Sequence, residues 1–259
     1  IKLRAKGGEK IKMCTDDYWI GAARSYYTDY IAREGEQEFE TPIWTNGHEV
    51  LYIVPEGVEV LDVKYRESGY DSDFVGSFAC DNEFCNKLWQ KARRTLYVNM
   101  RDNYMDCPDR ERAQWWGDVV IELGQVGYVF DERAHQLTRK AILELMMFQR
   151  ENGVISSPVP GLYKQELPCQ MLASVGHYGF YTYYMQTGDS QTIAAVYDRV
   201  KRYVFDVWNP FGSELVPLRE GGWLWGDWGT NIDQEALQQC WYALALKGFV
   251  EMARITGHE

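Results

Sequence analysis

The chain has 259 residues, 46% of them hydrophobic, enough for a sizeable core and too many for a disordered chain. Its net charge of −11 is not offset by any block of Lys or Arg, which argues against nucleic acid and anionic membrane surfaces as partners. The densest basic cluster, Lys91 with Arg93 and Arg94, fits the solvated face of a helix. Cys14, Cys80, Cys85, Cys107, Cys169 and Cys240 are scattered without a C-x-x-C pair, so free thiols are expected rather than a zinc site or a disulfide framework. No apolar run is long enough to span a bilayer, so membrane insertion is not expected. No signal peptide is visible, and a chain starting at Ile1 reads as a processed or excised piece whose location stays open.

Residues 1 to about 75 read as a β-rich segment, a few strands of a sheet. Phe39 and Ile43, the run Val50 to Val54, then Val58, Val60, Val63 and Tyr65 are broken by Asn46-Gly47 and Pro55-Glu56-Gly57. The period then changes. From Asp81, the expected N-cap, Phe84, Leu88, Ala92 and Leu96 recur every four residues on one helix face. Further helices are expected at about 116 to 129, 134 to 151 and 170 to 187. Another follows Gly188-Asp189-Ser190, with Ile193, Val196, Tyr197, Val200 and Val204 on one stripe. The last, from about 233, is apolar almost all round from Ala236 to Leu246 except Gln238 and Gln239, and is expected to be buried on most faces.

Helices of similar length without intervening strands predict a mainly α architecture for residues 76–259, with paired helices wound into a toroid or bundle. Two long loops are the natural places for a site. One spans about 152 to 168; the other spans about 207 to 231 and contains Gly221-Gly222-Trp223-Leu224-Trp225-Gly226-Asp227-Trp228.

The densest chemistry lies in Asp106 to Asp118, DCPDRERAQWWGD. Carboxylates and arginines fix hydroxyl directions, and flat aromatic faces cover the C–H side of a sugar ring. The 15% aromatic content, with 10 Trp and 18 Tyr, suits either such a cleft or a large helical core. Each residue also has a plainer role available. Asp106 can cap the turn before Pro108, Glu111 and Arg112 can form a helix-start ion pair, and Asp227 can be a turn residue. Trp115 and Trp116, about 100° apart on a helix, cannot both face a ligand, so one of them is expected in the core. The four histidines form no ligand spacing.

Asp106-Cys107-Pro108, Arg110-Glu111-Arg112 and Trp115-Trp116-Gly117-Asp118 resemble the D-C-P-x-R-E-R-x-G-W-x-G-D segment of bacterial α-L-rhamnosidases, glycoside hydrolase family 78. Gly76-Ser77-Phe78 with Cys80-Asp81 and Asn86 is similar to that family's entry into its helical domain, and Gly226-Asp227-Trp228 to its G-D-W loop. The resemblance implies an (α/α)6 barrel preceded by β-sandwich domains, of which about half the helices are present. It implies inverting hydrolysis of terminal α-L-rhamnosides, with no cofactor and no metal. Carried over, Glu111 is the general acid and Trp116 the core tryptophan. Asp106, Arg110 and Asp118 bind rhamnose hydroxyls, Trp115 faces the ring, and Asp227 and Trp228 belong to the sugar site.

A protonated acid is needed for the leaving oxygen, and crowding by Asp106, Asp109 and Asp118 would keep a proton on Glu111. Inversion also needs a second carboxylate roughly 6.5–9.5 Å away. The resemblance places that base far downstream, beyond these residues, so the chain alone is expected to be inactive or nearly so. If the base is in this chain, Asp227 ranks first, with Asp233, Glu235 and Glu220 behind it. The family's glycine before the site tryptophan is Gln114 here, which bears on pocket shape and substrate. A non-catalytic carbohydrate-binding protein on the same scaffold, and an (α/α)6 glycosidase for another sugar, remain the alternatives.

Overall fold

The computed structural model describes residues 1–16, 27–161, 165–212, 214–219, 223–224, 226 and 229–258. Asp227, Trp228 and Glu220 lie outside the described residues. The contacts divide into two compact units, Ile1–Gly69 with Cys107–Arg112, and Tyr70–Asp106 with Ala113–Glu259. The division falls before residue 75 because Tyr70 and the residues after it already bond to the helical unit. Tyr70 N–H donates to Met100 O at 3.2 Å, and Phe74 bridges Phe130.

Among the described residues the first unit holds six strands, β1 (Lys2–Ala5), β2 (Lys10–Thr15), β3 (Thr28–Ile31), β4 (Gly35–Glu38), β5 (Val50–Ile53) and β6 (Glu59–Asp62). They form two three-stranded antiparallel sheets ordered β4-β1-β6 and β3-β2-β5. Alternation along β1 and β2 turns Leu3, Ala5, Ile11 and Met13 inward, where they share one small core with Ala32. On the outer face Arg4 sits opposite Glu36 and Glu59 in register and bonds to both, at 3.2 and 2.6 Å. Such exposed pairs add little stability, but they oppose a one-residue slip. Ile43, Val63 and Tyr65, expected in strands, lie outside them and are exposed, and among the described residues no strand pairs with those stretches.

The second unit is helical. Helix α1 spans Glu83–Val98, and its N-cap is Asn82 rather than Asp81: Asn82 Oδ1 accepts Phe84 N–H at 3.0 Å. Only the C-terminal end of its apolar stripe is buried. Leu96 is in the core, whereas Phe84 is 70% and Leu88 54% exposed.

Helices α2 (Trp116–Val129), α3 (Ala134–Met147), α4 (Pro168–Val175), α5 (Phe180–Thr187), α6 (Ser190–Lys201) and α7 (Gln234–Thr256) pack against one another. Helices α2 and α7 both lie against α4, α6 lies against α7, and α3 lies against α5 and α6. Helix α3 stops at Met147 rather than 151, and Phe148 is its partly exposed C-cap.

The single helix expected over 170 to 187 is two, broken at Gly176-His177-Tyr178-Gly179. A Cβ on Gly179 would stand 1.8 Å from Ser174 O, so only glycine allows the chain to double back there. Asp189 caps α6 by accepting Thr192 N–H at 3.0 Å, and the predicted stripe from Ile193 to Val204 is fully buried. A π-helical turn, Arg202–Val207, extends it.

Helix α7 departs from expectation: it is buried along the stripe Gln238, Tyr242, Ala245, Phe249 and Met252, while Ala236, Cys240, Ala243 and Val250 are exposed. Gln238 and Gln239 make tertiary bonds. Gln239 Nε2 donates to Val216 O at 2.7 Å, and Gln238 Oε1 accepts Arg219 N–H at 3.3 Å. All six cysteines are free thiols. Among the described residues no helix is long and apolar enough to cross a membrane.

Candidate functional site

In the second unit, Asp106 and Ala113 bond to each other twice. Asp106 N–H donates to Ala113 O at 3.0 Å, and Ala113 N–H donates to Asp106 Oδ1 at 3.1 Å. The six residues between them, Cys107–Arg112, cluster with the first unit.

That six-residue segment is a turn, so Glu111 and Arg112 do not stand at the start of a helix. Glu111 bonds instead to its other neighbour. Arg110 Nε donates to Glu111 Oε1 at 2.8 Å with Nη2 on the same oxygen, and the Cys107 thiol donates to Oε2 at 3.0 Å. Burial, then the Glu111 carboxylate, pushes the Cys107 thiol above its ordinary value, so it remains S–H and a donor.

Arg112 is held elsewhere. Its guanidinium lies 3.7 Å from the centre of the Trp44 ring, donates to Trp44 O at 3.3 Å and Asn46 Oδ1 at 3.4 Å, and its Nε reaches Pro108 O at 3.1 Å. These contacts offset a left-handed backbone at φ +50°, a strain of about 1–3 kcal/mol for a residue with a side chain.

The stretch from Ala113 onward feeds α2. Trp115 is the N-cap residue and has no side-chain oxygen with which to cap. The free N–H groups of the first turn are taken by distant side chains: Trp116 N–H donates to Ser157 Oγ at 2.8 Å and Gly117 N–H to Gln170 Oε1 at 3.3 Å. A Cβ on Gly117 would stand 2.6 Å from Gln170 Cδ, which is why a glycine precedes Asp118.

Trp116 is fully buried, with its ring edge-on to Phe180 at 5.9 Å, whereas Trp115 is only partly buried and Asp118 is exposed. Asp118 sits in the first turn of α2, where the helix dipole favours a negative charge.

Gln114 is 1% exposed, and its amide donates to Val159 O at 2.7 Å. Its backbone is not left-handed, so a side chain fits without strain; it ties this segment to the 152–168 loop. That loop was expected to carry a site, but Val154 to Val159 is buried and serves as a buttress.

One residue escaped the sequence reading. Glu122 follows Asp118 by four residues, on the same side of α2, and is buried among Val119, Val120, Leu123 and Val126. Burial pushes its carboxyl well above the usual range, and the charges of Asp118 and Asp106 push the same way; Asn99 acts in the opposite direction. The available signal was a lone glutamate in an apolar run. Of the alternative bases, Asp233 is engaged as the N-cap of α7, where its Oδ1 accepts Ala236 N–H at 3.0 Å, and Glu235 lies exposed in the first turn.

Helix α2 opens on Trp115, Trp116 and Asp118, shortly after Asp106, in a unit built of helices packed on helices. The chain belongs to the bacterial alpha-L-rhamnosidase 6 hairpin glycosidase domain family, whose model matches residues 73–259.

Three solved structures share its fold. The rhamnosidase of glycoside hydrolase family 78 from Bacillus sp. GL1 is 23% identical with a TM-score of 0.82, covering 99% of this chain and 28% of that one. The alpha-L-rhamnosidase from Dictyoglumus thermophilum is 21% identical with a TM-score of 0.76, covering 100% and 31%. The Streptomyces avermitilis alpha-L-rhamnosidase complexed with L-rhamnose is 17% identical with a TM-score of 0.76, covering 100% and 26%. The chain thus spans less than a third of each of these proteins. No curated protein matches it.

Proposed function

We propose that the chain carries the acid and sugar-binding part of a glycoside hydrolase acting on terminal α-L-rhamnosides with inversion. In this reading residues 76–259 belong to an (α/α)6 catalytic barrel and residues 1–75 to a β-sandwich domain before it. The observation that carries the proposal is the segment Asp106 to Asp118, set at the start of α2 within a domain matched by the family model. Asp106, Arg110 and Asp118 take the sugar hydroxyls and the partly buried Trp115 covers the ring, while Trp116 is core. Asp227 and Trp228 extend the platform. The substrate is a rhamnosylated glycan or plant glycoside.

Glu111 is the general acid. Its contacts with Arg110 and Cys107 favour the ionised form, the opposite of what a proton donor needs. The acid role therefore requires a bound sugar hydroxyl to draw Arg110 away, so that Glu111 takes up its proton when substrate arrives. The base comes from elsewhere in a longer protein.

Calorimetry of L-rhamnose, with D-mannose and D-glucose as controls, against the chain and its Asp118→Ala variant tests the site. Rhamnose-selective heat lost in the variant is the expected result; equal silence for all three sugars counts against it.

The Arg110–Glu111 ion pair favours a second reading, a carbohydrate-binding protein without catalysis on the same scaffold. Rhamnosides with good and poor leaving groups separate the two. A protonating Glu111 makes Glu111→Gln costly chiefly for the poor leaving group, whereas a purely binding residue affects both alike.

A further inference from the structure

Trp115 occupies the N-cap of α2, a position that favours a residue whose side-chain oxygen accepts an N–H of the first turn. An indole has no such acceptor, and the oxygen comes instead from the 152–168 loop. Ser157 Oγ accepts Trp116 N–H at 2.8 Å and donates to Gln114 O at 3.4 Å, so one hydroxyl fastens the residues on both sides of Trp115. Two residues further on, Val159 pairs with Gln114 in both directions. Val159 N–H donates to Gln114 O at 3.4 Å, and Gln114 Nε2 donates to Val159 O at 2.7 Å. Ser157 and Gln114 are both buried, and Ser157 N–H is itself tied to Gln165 O at 3.1 Å. The backbone of Trp115 is engaged as well: its N–H donates to Ala113 O at 2.9 Å, and its C=O accepts Asp118 N–H and Val119 N–H at 3.1 and 2.9 Å.

We propose that Ser157 and Gln114 are positioning residues for the Trp115 ring. Ser157 takes over the capping duty that a tryptophan cannot perform, which leaves the N-cap position to a residue with a flat aromatic face. With the backbone fastened before, at and after Trp115, the direction in which its side chain leaves the chain is fixed. Loss of the Ser157 hydroxyl leaves Trp116 N–H, a buried donor, without its acceptor, and the start of α2 shifts to recover one. Val154 to Val159 is buried throughout, so this part of the loop reaches the candidate site by holding Trp115 rather than by offering a side chain to a ligand. That the ring so held covers a sugar rests on the sugar-site reading; its dependence on Ser157 and Gln114 does not.

The test uses the whole chain labelled with fluorotryptophan and read by fluorine NMR, the Trp115 resonance being identified by its loss in Trp115→Phe. In Ser157→Ala the Trp115 resonance is expected to shift and broaden. The same is expected in Gln114→Met, which removes the amide bonds and nearly keeps the side-chain volume. In Val200→Ala, a cut in the fully buried stripe of α6, the resonance is expected to stay in place. A Trp115 resonance unmoved in either loop-contact variant that folds, or displaced as far in Val200→Ala, overturns the proposal. Gln114→Met leaves the Ser157 hydroxyl in place, so a Ser157→Ala chain that fails to fold does not remove the test. These readings involve no sugar, so failure of rhamnose binding and failure of this proposal are separate results. Where L-rhamnose gives heat with the unsubstituted chain, Ser157→Ala is expected to weaken binding about tenfold. Full affinity beside a displaced ring would unseat Trp115 as a sugar contact, not Ser157 as its support.

Discussion

Asp106 uses one carboxylate oxygen to accept the N–H of Ala113, seven residues later, while its own N–H returns to Ala113 O. This double bond pattern closes the Cys107–Arg112 segment at its base, so Asp106 has a structural duty beside any role toward sugar.

Two substitutions separate these duties. Asp106→Asn keeps an oxygen for Ala113 and removes the charge, so unfolding stability is expected to stay within about 0.5 kcal/mol. Asp106→Ala removes the bond as well and is expected to cost about 1 kcal/mol. Urea denaturation of both variants checks this. An Asn variant as unstable as the Ala variant would mean that charge, not the hydrogen bond, holds the turn.

The two adjacent tryptophans are expected to behave as opposites. Trp116→Ala empties a fully buried site against Phe180 and is expected to cost about 3–5 kcal/mol. Trp115→Ala touches a partly buried ring and is expected to leave stability nearly intact while abolishing rhamnose heat in calorimetry. Loss of stability in both, or in Trp115 alone, would reverse the assignment.

Gly117→Ala places a methyl 2.6 Å from Gln170 Cδ and displaces the acceptor of the Gly117 N–H. A cost of about 1–3 kcal/mol is expected from overpacking. Gln170→Ala in the same chain should recover part of it, a coupling that thermal unfolding of the four variants of the cycle measures.

Asp189 links α6 to pH. Burial pushes its carboxyl up, but the bonds from Thr192, from Tyr183 at 2.8 Å, and the charge of Arg139 outweigh this and hold it below the ordinary value of 3.8. A carboxyl depressed in the folded state stabilises above its unfolded value and loses that contribution as pH falls through the folded one. Asp189→Ala is therefore expected to cost about 1 kcal/mol as a lost cap at neutral pH. The gap to the unsubstituted chain should narrow as pH drops below 3.8. A gap that stays constant with pH would show that the cap acts without its charge.

Much of the helical unit was legible in the sequence because its signals are local. Helix α2 was expected over 116 to 129 and spans Trp116–Val129, and the Ile193 to Val204 stripe is buried as its spacing implies. The misses share another cause. Asn82 rather than Asp81 caps α1, the break at Gly176 to Gly179 divides one apolar pattern into two helices, and Ile43, Val63 and Tyr65 look like strand residues yet lie outside the strands among the described residues. Each depends on what stands opposite, which a period along one segment does not report.

The same division runs through the site. Sequence alone determined the residue types of the Asp106 to Asp118 segment, the family they resemble and the presence of a buried tryptophan, because these follow from side-chain chemistry and helical spacing. Tertiary structure decided that α2 begins without a local cap, its first N–H groups held by Ser157 and Gln170 from distant parts of the chain. It also set Arg110 on Glu111, sent Arg112 to Trp44 and buried Glu122 beside two aspartates. Partner choice and burial are properties of three-dimensional neighbours, and they set which carboxyl holds a proton; the order of residues supplies only the candidates.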